Sequence, residues 1–146
     1  MKEDTLTKLS DYKPFPFIIP NINIDFNIGQ ENVFVKTSML IKKKSEVSSE
    51  LVLKGIEIEL LSVSIDGIVL DSQKYNLSDQ ELVIKIPPKS EFELNIKSRI
   101  DPFNNTSLEG LYLSSGMLAS QCEAEGFRRI CFHPDRPDVL SKYTVR

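Results

Sequence analysis

The sequence predicts an all-β protein, an antiparallel sandwich or open barrel, and three observations carry that prediction. Apolar residues recur with a period of two along most of the chain, the spacing that sets alternate side chains on one face of a strand. Asp, Gly, Pro and Asn punctuate the alternating runs at regular intervals, as they do where short strands are joined by tight turns. No stretch of ten residues carries the spacing of an amphipathic helix.

In chain order, residues 1–10 are polar and are expected to be a disordered lead-in, leaving 11–146 as one β domain. Pro14, Pro16 and Pro20 break the chain before the first clear strand. There Ile22, Ile24, Phe26 and Ile28 alternate with Asn21, Asn23, Asp25 and Asn27, a half-buried strand with one wet face. Val33 to Ile41 forms a second strand, closed by Lys42-Lys43-Lys44, which reads as a solvated turn. Leu51-Val52-Leu53 is followed by Ile56, Ile58 and Leu60 set against Glu57 and Glu59. Ile65-Asp66-Gly67-Ile68 reads as a hairpin, because Asp and Gly accept the positive φ of a type I′ turn. Leu82 to Ile86 and Phe92 to Ile96 are two further strands, separated by Pro87-Pro88. From Gly110 to Phe132 the alternation gives way to Gly, Ser, Cys and paired charges. Ser141 to Arg146 reads as the opening of a strand with nothing after it, the look of a piece of a larger protein.

At 146 residues the chain can bury roughly 70% of its unfolded surface, enough for a core without staples. Its 40% hydrophobic and 27% charged content is that of an ordinary globular protein. A net charge of −3 argues against nucleic acid as a partner. No run approaches the roughly 18–20 apolar residues of a membrane helix, and Met1-Lys2-Glu3-Asp4 opens no signal peptide. The two cysteines, Cys122 and Cys131, form no C-x-x-C pair and read as free thiols. These features together predict a cytoplasmic location without membrane attachment. Three N-x-S/T matches, at Asn76, Asn104 and Asn105, then carry no meaning for glycosylation.

The segment with chemical potential is Ser120 to Arg129. If it is extended, Gln121, Glu123 and Glu125 share one face, roughly 6.5–7 Å apart along the strand. An amide and a carboxylate side by side suit the gripping of a free α-ammonium group: one supplies an acceptor, the other a countercharge. An exopeptidase needs such a grip to register the end of a chain. The same pattern also reads as a solvated strand face, with Arg128 and Arg129 as exposed partners worth under about 1 kcal/mol each.

Three blocks add a resemblance. They are Asn105-Thr106-Ser107-Leu108-Glu109-Gly110-Leu111-Tyr112, then Gln121-Cys122-Glu123-Ala124-Glu125-Gly126-Phe127-Arg128-Arg129, then Asp135-Arg136-Pro137-Asp138-Val139-Leu140. In that order and spacing they resemble bacterial aminopeptidase N, of the gluzincin zinc aminopeptidase family. Tyr12, Pro14, the strand from Ile22 to Ile28 and the stretch from Leu61 to Gly67 extend the likeness over nearly the whole chain.

The resemblance implies a saddle-like N-terminal β domain of a larger multidomain enzyme, with a thermolysin-like catalytic domain expected after Arg146. It implies that the parent removes N-terminal residues from peptides with zinc. It also implies that Gln121 and Glu123 help to hold the substrate's amino group, while Glu125 receives no role and Cys122 is a small filler. Zinc needs the H-E-x-x-H motif and a distant Glu. A chain with one histidine, His133, cannot hold that motif, so this piece is expected to bind no metal, supply no catalytic residue and be inactive alone. His133, followed by Pro134, reads as structural or solvent-facing. The family's G-A-M-E-N stretch is absent as well.

The implied partners are peptides with a free N-terminus and the domain's own missing catalytic domain. Leu111, Leu113 and Met117 would surround the exposed face as an apolar patch. Two alternatives stand beside this reading: a stand-alone β-sandwich binding or docking module, and a relative that also acts on a lipid epoxide.

Overall fold

The structure is a computed structural model that describes residues 8–44, 50–87 and 89–146. Twelve strands and two single 3-10 turns, Leu9–Asp11 and Phe127–Arg129, make up its regular elements, with no α-helix among the described residues. The strands are β1 (Phe17–Ile18), β2 (Asn21–Ile28), β3 (Val33–Lys43), β4 (Glu50–Lys54), β5 (Glu59–Ile65) and β6 (Ile68–Val69), followed by β7 (Tyr75–Leu77), β8 (Glu81–Lys85), β9 (Glu91–Ile100), β10 (Gly110–Ser114), β11 (Met117–Gln121) and β12 (Lys142–Val145).

They assemble into a large sheet, ordered β12-β2-β3-β9-β5-β6 with β1 also paired to β3, and a small sheet, β4-β8-β7. The β10-β11 hairpin stands apart from both. Every pairing is antiparallel except β12 with β2, which is parallel. The sheets do not close into a barrel.

Alternation in the sequence becomes the two faces of the sheet. Ile22 and Ile24 on β2, Val33, Val35, Met39 and Ile41 on β3, and Phe92, Leu94 and Ile96 on β9 are all buried. Their register sets Ile24, Thr37, Ile96 and Val63 in one row across four strands. Leu51 and Leu53 of β4, with Leu82 and Ile84 of β8, close the core from the small sheet. Each such side chain contributes roughly 1.5–3 kcal/mol of burial free energy. A bulge between Leu60 and Ser62 leaves Leu61 exposed while Val63 and Ile65 turn inward.

The Asp66-Gly67 hairpin forms as expected: φ is 49° and 82° at its two central residues, and Ile65 faces Ile68 across it. Two expectations need correction. The lysine run does not close β3, because Lys42 and Lys43 continue it, paired with Ile18 and Phe17. Lys42 reaches Glu91 at 2.8 Å and Lys43 donates to the Pro87 carbonyl at 3.0 Å, so these cations are partnered within the sheet. The alternation at Ile56, Ile58 and Leu60 is only partly a strand. The Gly55 and Ile56 amides bond to the Gln80 and Arg128 carbonyls, and Glu57 turns to φ 55°, so β5 starts at Glu59. Most of the expected lead-in lies outside the described residues; within it Leu9–Asp11 forms a 3-10 turn.

The chain start is clasped to a late loop. Asp138 accepts from the Tyr12 hydroxyl at 3.0 Å and from Arg136 at 2.8 Å. The Arg136 guanidinium holds the Asp138 carboxyl well below the usual carboxylate range.

Candidate functional site

The site segment starts on β11, whose last residue, Gln121, pairs with Gly110 at the foot of the β10-β11 hairpin. The strand ends there, so Gln121, Glu123 and Glu125 do not lie along one extended face, contrary to the sequence reading. The chain instead folds into a tight turn over 122–126, closed by the Gly126 amide donating to the Cys122 carbonyl at 3.0 Å. The Glu123–Ala124 peptide is cis and Glu125 adopts φ 70°. Gly126 makes the fold-back possible. A Cβ at that position would stand 2.5 Å from the Gln121 carbonyl oxygen and 2.9 Å from Cys122 Cα.

Gln121 and Glu123 are brought together by this turn. The Gln121 Nε2 donates to the Glu123 carbonyl at 3.0 Å, which fixes the amide and leaves its Oε1 as an acceptor for a ligand. Both side chains are exposed.

The two arginines that follow are not the exposed partners that the sequence predicts. Their side chains are only 16% and 17% exposed, because the 3-10 turn directs them beneath the site. Arg128 places Nε 2.6 Å from Asp135 Oδ2 and Nη2 3.3 Å from Glu125 Oε1. The same Asp135 oxygen accepts the Arg128 backbone N–H at 3.3 Å. Arg129 binds Glu57 at 2.6 Å and Glu109 at 3.1 Å. Glu57, Glu109, Glu125 and Asp135 thus each have an arginine partner, although two guanidinium charges balance only half of the four carboxylates. The Glu123 carboxylate has no hydrogen bond or ion pair among the described residues.

His133 forms the floor of this arrangement and is buried rather than solvent-facing. Its backbone bonds to Lys54 in both directions, at 2.7 and 3.0 Å. Its Nδ1 accepts the Asp135 N–H at 2.9 Å, which leaves Nε2 to carry the ring proton toward the Tyr143 hydroxyl, 2.8 Å away. The Phe127 ring packs against it with centroids 4.8 Å apart. Burial pushes the His133 pKa down to about 4.

With both ring nitrogens committed, His133 does not fit the role of a zinc ligand. Nor does any group of three His, Cys, Asp or Glu among the described residues match a metal site. Cys131 is fully enclosed and burial raises its thiol pKa. Cys122 is half-buried, and burial followed by the nearby Asp135 charge raises its pKa too.

The sequence reading gave Arg128 only the part of an exposed partner and gave Asp135 no role in the site. Leu113 and Met117 are 41% and 70% exposed but lie toward the tip of the β10-β11 hairpin, away from its foot at Gln121, and Leu111 is half-buried. No helix among the described residues is long and apolar enough to cross a membrane.

Comparison with known proteins gives this geometry its family. Aminopeptidase N of Caulobacter vibrioides is 40% identical over 148 residues, taking in 100% of this chain and 17% of that protein. Aminopeptidase N of Escherichia coli is 35% identical over 136 residues, or 93% of this chain and 15% of that protein. The chain therefore spans about one-sixth of the length of these relatives. Among solved structures, aminopeptidase A of Legionella pneumophila, in complex with aspartic acid, superposes with a TM-score of 0.87 at 31% identity. That match covers 95% of this chain and 17% of the other. The M1 zinc metallopeptidase of Deinococcus radiodurans shares the fold at 15% identity, with a TM-score of 0.74 over 89% of this chain and 32% of its own. The Peptidase M1 N-terminal domain family matches residues 17–146, and the chain belongs to it.

Proposed function

We propose that this domain forms part of a cytoplasmic zinc aminopeptidase and recognises the free amino group of the peptide being shortened. Glu123 is the countercharge for the substrate's α-ammonium, and the Gln121 Oε1 is a second, oriented acceptor. Zinc and its ligands belong to a part of the parent outside this chain, so the domain alone turns over no peptide.

One observation carries the reading. In a cluster where Arg128 and Arg129 ion-pair with Glu125, Asp135, Glu57 and Glu109, the Glu123 carboxylate is left exposed and unpartnered among the described residues. An ammonium arriving there meets a full negative charge and donates without displacing an internal partner. Support comes also from the relatives. Two that match nearly the whole chain are named aminopeptidase N. The Deinococcus radiodurans M1 zinc metallopeptidase has been crystallised, as an E323A mutant, with a Tyr-Ser-Ala substrate.

The test is Glu123→Ala in the parent enzyme, assayed on an aminoacyl amide. The expected loss in kcat/KM is about 2–4 kcal/mol, the range for truncating one partner of a desolvated charge pair. A loss below about 0.5 kcal/mol would return Glu123 to the status of a solvated surface acid.

A further inference from the structure

Between the candidate site and the sheets runs a continuous chain of polar contacts. Glu125, at the end of the turn that carries Glu123, is held 3.3 Å from Arg128. Arg128 is held in turn by Asp135, whose side chain is 12% exposed and whose Oδ2 takes both its Nε and its backbone N–H. The Asp135 backbone N–H bonds to His133 Nδ1, and the His133 backbone is paired with Lys54 of β4. The exposed turn is thereby connected to the small sheet through side chains that are mostly buried.

We propose that Asp135 is a positioning residue for the amino-group clamp, acting through Arg128 and Glu125 on the turn that carries Glu123. The inference rests on the reading of Glu123 given above. The turn over 122–126 has a single internal backbone bond, from Gly126 to Cys122, and its Glu123, Ala124 and Glu125 side chains are all exposed. Little apolar burial holds such a segment, so without an outside tether it would sample many conformers. The clamp requires the opposite, because a countercharge displaced by an ångström forfeits much of its effect on a bound ammonium. Arg128 supplies the tether with a planar, two-sided fork: Asp135 on one side fixes the guanidinium, and Glu125 on the other is fixed by it. The role also accounts for a carboxylate spent on Arg128 from underneath. An arginine bound by Glu125 alone would swing outward with that exposed acid.

Asp135→Asn is a clean probe. Asn accepts the left-handed backbone that Asp135 adopts at φ 50°, so the change removes charge and one strong acceptor without straining the chain. The measurements are hydrogen exchange over residues 121–129 of the full-length parent and kinetics on an aminoacyl amide. Exchange in that segment should quicken about tenfold or more while β3 and β9 keep their protection. KM should rise about tenfold with kcat changed less than about threefold. In a Glu123→Ala background, Asp135→Asn should add little to KM, since a tether has no further effect once its cargo is gone.

If Asp135→Asn does not accumulate as folded protein, Glu125→Gln serves instead. That side chain is 70% exposed, and the same changes are expected at about a third of the size. Unchanged exchange over 121–129 in the folded variant overturns the inference, whatever Glu123→Ala does. If the turn loosens but Glu123→Ala leaves KM unaltered, the amino-group reading fails, and the positioning role with it.

Discussion

His133 and Tyr143 are joined by a 2.8 Å hydrogen bond from a buried imidazole to a phenol on β12, the strand that runs parallel to β2 at the edge of the large sheet. That bond ties the loop beneath the candidate site to β12 at the edge of the large sheet. The neighbouring bond, from the Asp135 N–H to Nδ1, requires a neutral ring, because a protonated Nδ1 has no lone pair to accept it.

The first prediction concerns pH. Burial lowers the His133 pKa to about 4 from 6.5, against the opposing pull of Asp135. Between those values the unfolded chain holds the proton and the folded one does not. The stabilising contribution is therefore fully present above about pH 6.5 and is lost as pH falls toward 4, amounting to about 3 kcal/mol. The carboxylates with lowered pKa, Asp66, Asp101 and Asp138, act in a separate window further down. Denaturant titrations from pH 7 to 4.5 should show this slope, and His133→Gln should flatten it.

The second concerns Gly126. Its φ is −82°, which alanine adopts freely, so any effect of Gly126→Ala is steric and not conformational. The new methyl would press on the Gln121 carbonyl and Cys122. A stability loss of about 1–3 kcal/mol is expected, with a raised KM for aminoacyl substrates. A variant with unchanged melting temperature and KM would show that the turn has slack that its contacts do not reveal.

The third concerns the thiols. Both cysteines hold raised pKa values, for which burial is the first cause. At pH 7.5 an alkylating reagent should modify half-buried Cys122 slowly and leave Cys131 intact until the protein is unfolded. Rapid labelling of Cys131 under native conditions would place the core opening, not the pKa, in control.

Most of the fold was legible in the sequence. Period-two alternation located β2, β3, β8 and β9, and Asp66-Gly67 located its hairpin, because both depend on local rules: which face a side chain takes, and which residues accept positive φ. Errors arose where tertiary contacts overrode those rules. Lys42 and Lys43 lengthen β3 because Glu91 and the Pro87 carbonyl receive their charges. The Ile56–Ile58 alternation breaks because its backbone is claimed by Gln80 and Arg128. Gln121 and Glu123 stood out from a solvated strand face only through the motif blocks; Gln121 does end a strand, but Glu123 lies in the turn after it and not on the same extended face. Asp135 escaped notice because its significance lies in a contact made seven residues away, with Arg128, which alternation does not encode.

The central claim is that Glu123 answers the charge of the substrate's amino group, and its most direct test changes that charge on both partners. The affinity of the parent enzyme for a competitive inhibitor bearing an α-ammonium is compared with that for its des-amino analogue, in the wild type and in Glu123→Ala. The wild type should favour the ammonium form by about 30- to 800-fold, and Glu123→Ala should lose most of that preference. An equal preference in both proteins would contradict the account, because the ammonium would then be held by groups other than Glu123.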